Sequence, residues 1–182
     1  MGDLPDLLYR WALESVAAVA LDTRLGCLEP GPAAPHCSHI IEAVQQILRG
    51  SKRLDSGLRL WQVLPSRQFE EFCQNYRTFK HISHTIIEAA TEQGGTENQG
   101  LVGELGRAGC PADMISVTAA ELLFGGVDTT AHSLVFTLYL LARNPASQQR
   151  LQEELSTAPG LPASLPNLPF LRAVLKVVMP KL

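Results

Sequence analysis

Phe124-Gly125-Gly126-Val127-Asp128-Thr129-Thr130 lies inside an apolar run that predicts the longest helix of the chain, from near Pro111 to near Asn144. The segment breaks local helix rules. Each Gly costs about 1 kcal/mol against Ala in a helix interior, and Asp and Thr compete with the helical backbone for hydrogen bonds. A sequence that departs from its own local preference in mid-helix often does so for a site. Thr129 follows Gly125 by four residues, so its hydroxyl is placed to bond the Gly125 carbonyl and to bend the helix between Gly125 and Thr129. Two absent side chains then leave a groove flanked by a hydroxyl and a carboxylate, where a flat cofactor or a small gas could approach the backbone. A close helix–helix contact through small residues is the other reading of the same pattern.

Outward from this helix, the remaining elements also read as helical. Asp113 or Ser116 serves as its cap, and Asn144-Pro145 stops it. Pro145 opens a shorter helix through Leu155, Thr157 to Pro169 is a proline-rich loop, and Pro169 to Met179 is a last helix cut by Pro180. Upstream, Asp3 and Pro5 begin a helical segment from Leu4 to about Leu28. Leu7, Leu8, Trp11, Val16, Val19 and Leu25 form its apolar stripe, and Gly26 terminates it. A proline-rich loop, Glu29 to Pro35, leads to a helix from His39 to Arg49 and a less regular stretch from Gly50 to Pro65. Ser66 to Gln93 is a long amphipathic helix with Phe69, Phe72, Tyr76, Phe79, Ile82, Ile86 and Ile87 on one face. Gly94 to Gly109 reads as a polar, glycine-rich linker. No segment alternates with period two, so the fold class is mainly α.

Composition bounds the function. The 182 residues suit one domain, and 46% hydrophobic content opposes global disorder. Fifteen basic against eighteen acidic residues, a net charge of −3, argue against nucleic-acid binding by bulk charge. Four cysteines, at 27, 37, 73 and 110, form no C-x-x-C pair, against a disulfide-dense scaffold or a zinc ribbon. His36, Cys37 and His39 lack a second ligand pair, and His81 and His84 lack a zincin glutamate, so no metal site is expected from them. His132-Ser133 is no nucleophile elbow, and Gly100, Gly103 and Gly106 do not follow a strand. The first six residues carry no secretory or transit signal. Ala131 to Ala142 is shorter than the roughly 20 residues a bilayer span needs. Membrane contact, if any, is expected from Gly50 to Pro65. There Leu54, Leu58, Leu60, Trp61, Val63 and Leu64 mix with Lys52, Arg53, Arg59 and nearby Arg67. The alternative is a loop packed on its own neighbours.

Gly125-Gly126-Val127-Asp128-Thr129-Thr130 resembles the Ala/Gly-Gly-x-Asp/Glu-Thr-Thr signature in the oxygen-binding helix of cytochrome P450 monooxygenases. Leu138 to Pro145, Gln148-Gln149 and Leu151 to Leu155 resemble the end of that helix and the next one. Leu168 to Lys176 resembles the run into the family's Glu-x-x-Arg helix. Tyr9 to Ser15 and Leu21 to Leu28 resemble the mitochondrial branch, with the sterol 27-hydroxylase and vitamin D hydroxylase groups nearest and the steroid 11-hydroxylases next. The resemblance covers nearly the whole chain. It implies a partial domain divided into early helices (1–93), a linker (94–110), the oxygen-binding helix (111–144) and following helices with an atypical tail (145–182).

The resemblance also implies roles. Heme would be the cofactor, against Gly125, Gly126 and Thr130. Asp128 and Thr129 would be the catalytic pair that supplies protons during dioxygen activation. Leu122, Phe124 and Val127, with Leu123 beside them, would face a sterol or steroid substrate or the heme. Lys176 would help dock a ferredoxin of the adrenodoxin type, itself served by a reductase; a solvated helix charge is the plainer reading of that lysine. The implied location is the matrix side of the mitochondrial inner membrane, with peripheral membrane contact. Val177, Val178, Met179 and Pro180 stand where the pattern expects Glu, two residues and Arg, and no cysteine sits in the family's heme-ligand loop. The expectation is a truncated or internal piece that does not turn over by itself. The competing classes are a non-catalytic helical fragment that binds a partner or lipid, and a free-standing helical bundle.

Overall fold

A computed structural model describes residues 3–29, 35–56, 61, 64, 66–94, 98–158 and 165–178. Among them all regular structure is helical. The elements are α1 (Leu4–Leu21), α2 (Pro35–Asp55), α3 (Arg67–Gly94), α4 (Leu101–Arg107), α5 (Ala112–Arg143), α6 (Pro145–Thr157) and α7 (Pro169–Val178), with a 3-10 turn at Leu165–Asn167. The chain forms two compact units, Met1–Thr130 and Ala131–Leu182. The helix α5 gives residues 112–130 to the first and 131–143 to the second.

In the first unit the core gathers Leu13, Ala17 and Leu21 of α1 with Ile40, Val44 and Ile47 of α2. Phe79 and Ile87 of α3, Val102 of α4, and Ala119, Leu123 and Val127 of α5 complete it. The buried face of α1 is not the stripe of its largest apolar residues. Ala12, Leu13, Ala17, Ala20 and Leu21 are buried, whereas Leu7, Trp11 and Val19 are exposed. The buried face combines two leucines with three alanines, and alanines let neighbouring helices approach closely. The helix also ends at Leu21, well short of Gly26. Asp22 adopts the left-handed conformation (φ 52°) and donates its N–H to the Ala18 carbonyl. The Glu14 carboxylate then accepts the N–H groups of Leu25 (3.1 Å), Gly26 (3.4 Å) and Cys27 (2.9 Å). A side chain thirteen residues upstream of Cys27 thus satisfies the turn, which sequence spacing does not announce.

The glycine-rich stretch before α5 contains α4 rather than only linker. Its glycines permit close backbone approach. A Cβ on Gly100 would lie 2.7 Å from the Asp22 nitrogen, and one on Gly103 would overlap the Asn98 carbonyl oxygen. Buried Asn98 ties this turn down, donating to the Leu21 carbonyl (2.7 Å) and accepting from Gly100 N–H (2.8 Å). Cys27 and Cys37, both fully buried, form a disulfide, a pairing the sequence reading did not anticipate. Cys73 and Cys110 are free thiols.

In the second unit, the Glu154 carboxylate of α6 accepts Phe170 N–H (2.9 Å) and Leu171 N–H (2.8 Å), capping the start of α7. The Arg150 guanidinium sits 4.5 Å over the Phe170 ring. Of the candidate interfacial stretch, Leu58, Arg59, Leu60 and Val63 fall outside the described residues, as do residues 30–34 of the first proline-rich loop and Met179 and Pro180. Trp61 turns inward: it stacks on Phe69 at 5.0 Å and donates to the Leu54 carbonyl at 3.2 Å, while Leu64 is exposed. No helix among the described residues is long and apolar enough to cross a membrane.

Candidate active site

Helix α5 is 32 residues long, the longest of the described helices, and continues through Gly125 and Gly126 without a break in assignment. Its buried stripe is Ala119, Leu123 and Val127, spaced by four. On the opposite side Val117, Glu121, Leu122, Gly125 and Thr129 are exposed. The heptapeptide therefore distributes its residues over several faces of one helix.

The two glycines do different things. A Cβ on Gly125 would meet no atom within 4 Å, whereas one on Gly126 would lie 2.8 Å from Val16 Cγ2 and 3.2 Å from Val16 Cβ on α1. Gly125 leaves an open strip of backbone. Gly126 lets α1 and α5 touch. The close helix–helix contact expected of small residues is made by Gly126, and the open space expected of absent side chains is left by Gly125 alone. The Thr129 hydroxyl donates to the Gly125 carbonyl at 2.6 Å, as the spacing of four requires. An exposed hydroxyl, an open backbone strip and the exposed Leu122 thus share one face.

Asp128 is half-buried, and its Oδ1 accepts a hydrogen bond from the Tyr9 hydroxyl of α1 at 2.8 Å. Burial first, then the hydrogen bond to Asp128 and its negative charge, push the Tyr9 phenol up to about 12; Gln45 and Arg49 of α2 act in the opposite sense. Tyr9 is the partner of Asp128 that sequence reasoning missed. The signal available was the cost of a carboxylate in an apolar helix, which demands a donor; which donor, 119 residues away, was not readable.

The other candidates separate. Phe124 is half-buried and packs edge-to-face on Phe79 of α3, with centroids 5.5 Å apart. It lines a hollow of about 320 Å³ with Tyr76, Ser83, Ala120 and Glu121, among others. Val127 is fully buried in the core, against which Phe124 packs, whereas Leu122 is exposed. Leu123 is fully buried beside it. Thr130 is half-buried. Lys176 is exposed in the last turn of α7. A larger hollow of about 560 Å³ between α3, α4 and the start of α5 contains none of these residues.

Residues 1–179 match the family model for cytochrome P450. The chain belongs to the cytochrome P450 family. It is 34% identical over 185 residues to a probable cytochrome P450 49a1 of Drosophila melanogaster, covering 93% of this chain and 31% of that protein. It is 32% identical to the mitochondrial 25-hydroxyvitamin D-1 alpha hydroxylase of Homo sapiens (97% of this chain, 38% of that protein). It is also 32% identical to the mitochondrial cytochrome P450 11B of Aquarana catesbeiana (96% and 36%). The chain spans about a third of the length of these relatives.

Cytochrome P450 proteins bind heme, and the open face of α5 suits the broad side of such a group. A Cβ on Gly125 would meet nothing within 4 Å, so Gly125 and the neighbouring Thr129 hydroxyl are the residues that would lie against such a group. An axial thiolate is a separate requirement. Cys27 and Cys37 are bonded to each other in the core, and Cys73 and Cys110 lie on α3 and ahead of α5. His36 Nε2 lies 3.1 Å from the Leu25 carbonyl oxygen, and no cluster of three metal-ligating side chains occurs among the described residues.

Proposed function

We propose that this chain supplies the oxygen-binding helix and its supports in a heme-thiolate monooxygenase of the mitochondrial class, one that hydroxylates a sterol, steroid or vitamin D-like substrate. The observation that carries the reading is the open strip at Gly125 with the Thr129 hydroxyl fixed on its carbonyl and Asp128 in the next position. The heme, when bound, supplies redox reactivity toward dioxygen. Thr129 would present its hydroxyl oxygen at the edge of that group and pass a proton on. Asp128, in contact with a protic partner on α1, would resupply it. Leu122 would give the open face an apolar wall. Phe124 would do the same for the hollow against α3. Gly126 and Val127 would act as supports, fixing how α5 sits on its neighbours.

The electron donor in this reading is a ferredoxin of the adrenodoxin type with its reductase, and the exposed cation Lys176 suits an acidic protein surface. The relatives from Homo sapiens and Aquarana catesbeiana are mitochondrial proteins, which supports a mitochondrial location; the matrix face of the inner membrane is the site this reading assigns. By itself the 182-residue chain is proposed to be inactive. None of its cysteines sits in the family's heme-ligand loop, and Val177 and Pro180 stand where that family's charged pair is expected.

A chimera tests the reading. The chain replaces the matching segment of a mitochondrial cytochrome P450, and the product is assayed with ferredoxin and reductase. A thiolate Soret band in the reduced carbon-monoxide spectrum and product formation are expected, and Thr129→Ala should consume electrons without matching product. A folded, heme-loaded chimera whose coupling is indifferent to Thr129→Ala would remove Thr129 from proton delivery. The same Soret band from the 182-residue chain alone would overturn the claim of inactivity.

A further inference from the structure

We propose that Tyr9 is a positioning residue that holds the Asp128 carboxylate against α1 and off the open face where Gly125 and Thr129 lie. Its purpose rests on the monooxygenase reading above; the contact itself does not. Three observations converge on it. The Tyr9 hydroxyl donates to Asp128 Oδ1 at 2.8 Å. Gly126, two residues before Asp128, allows Val16 of the same α1 into contact, so the two helices are fixed together beside this bond. Thr129, the next residue after Asp128, is engaged elsewhere, with its hydroxyl on the Gly125 carbonyl.

The carboxylate and the hydroxyl are neighbours in sequence but are tied to different partners. A carboxylate left unheld at this position would have rotamers toward water, and burying it without a donor is costly. A phenol is a suitable anchor. It is neutral, so it neither cancels the carboxylate's charge nor forms a bidentate grip, and it both donates and accepts. A guanidinium in its place would lock Asp128 more tightly and reduce its readiness to take or give a proton. The groups facing Tyr9 are Asp128 from α5 and Gln45 and Arg49 from α2. Asp128 opposes ionisation of the phenol, whereas Gln45 and Arg49 favour it. The net result keeps the phenol protonated, and therefore donating, well above neutral pH. The phenol therefore remains a hydrogen-bond donor to Asp128 throughout the neutral range. The bond occupies Oδ1, so its strength contributes to how freely the carboxylate can turn toward Thr129.

The test uses the 182-residue chain without heme. Carboxyl groups are labelled with a water-soluble carbodiimide and glycine ethyl ester, and modification of Asp128 is read by peptide mass spectrometry against exposed Asp113 as internal reference. Tyr9→Phe should raise the Asp128 rate relative to Asp113 by a factor on the order of three to ten, with the helical circular dichroism unchanged. An unchanged ratio overturns the proposal. A second arm stands if Tyr9→Phe fails to fold. The chain carries three tyrosines. Made with 3-fluorotyrosine, whose phenol titrates at lower pH, it should show one fluorine NMR signal that titrates above the other two. Asp128→Asn should lower that midpoint by about one pH unit. Three signals that titrate together, indifferent to Asp128→Asn, also overturn it. Neither readout needs heme, dioxygen or turnover, so failure here is distinct from failure of the chimera.

Discussion

Adjacent Gly125→Ala and Gly126→Ala substitutions should differ in stability, with only the first stabilising the chain. Both sites are interior positions of α5, so each exchange gains about 1 kcal/mol of helix propensity. That gain cancels in the comparison, and the remainder is what the new methyl meets. At Gly125 it meets nothing within 4 Å, so Gly125→Ala should stabilise the chain by about 1 kcal/mol. At Gly126 it would stand 2.8 Å from Val16 Cγ2 and 3.2 Å from Val16 Cβ. Rotating the valine side chain moves Cγ2 but leaves Cβ in place, so α1 itself has to shift. Overpacking of this kind costs about 1–3 kcal/mol. Net, Gly126→Ala should range from neutral to about 2 kcal/mol destabilising, and the two variants should differ by about 1–3 kcal/mol. Urea unfolding followed by the helical circular dichroism signal measures this. Val16→Ala removes the 2.8 Å contact at Cγ2 but keeps Cβ at 3.2 Å, so it should recover part of the loss in the Gly126→Ala background, giving a coupling on the order of 1 kcal/mol. Equal stabilisation by both alanines, or no coupling to Val16, would refute the assignment of Gly126 to the α1–α5 contact.

Further outcomes follow from the same geometry. Glu14→Ala should destabilise the chain by roughly 2–3 kcal/mol in urea unfolding, because three backbone N–H groups at Leu25, Gly26 and Cys27 lose a charged acceptor. Alkylation of the denatured, unreduced chain should modify two cysteines, Cys73 and Cys110, and four after reduction, as read by intact mass. Reduction should lower stability by about 2–3 kcal/mol, as expected for closing a short loop. The raised Tyr9 phenol means that the folded state holds its proton more tightly than the unfolded chain, whose tyrosines titrate near 10. Its contribution is complete below about 10 and is lost as pH rises toward about 12, so the Tyr9→Phe chain should lose less stability across that window.

Much of this molecule was legible in its sequence. Period-3.6 apolar spacing and the absence of alternation determined a helical fold, and Asn144-Pro145 marked the end of α5 within a residue. The spacing of four between Gly125 and Thr129 determined their hydrogen bond, because a helix brings those positions together whatever surrounds them. Local rules did not reach across the chain. Which face of α1 is buried, that of Leu13, Ala17 and Leu21 rather than that of Leu7, Trp11 and Val19, was decided by where the neighbouring helices lie. The pairing of Cys27 with Cys37, the Glu14 carboxylate at the turn and the meeting of Tyr9 with Asp128 depend on where helices cross. The glycine pair marks the boundary between the two kinds of information. Sequence placed both in the interior of one helix and marked them as costly there, since that cost is a property of the residues themselves. Only the tertiary structure could tell the glycine that faces open space from the one that meets Val16, because helical spacing fixes direction around an axis and packing decides what lies in that direction.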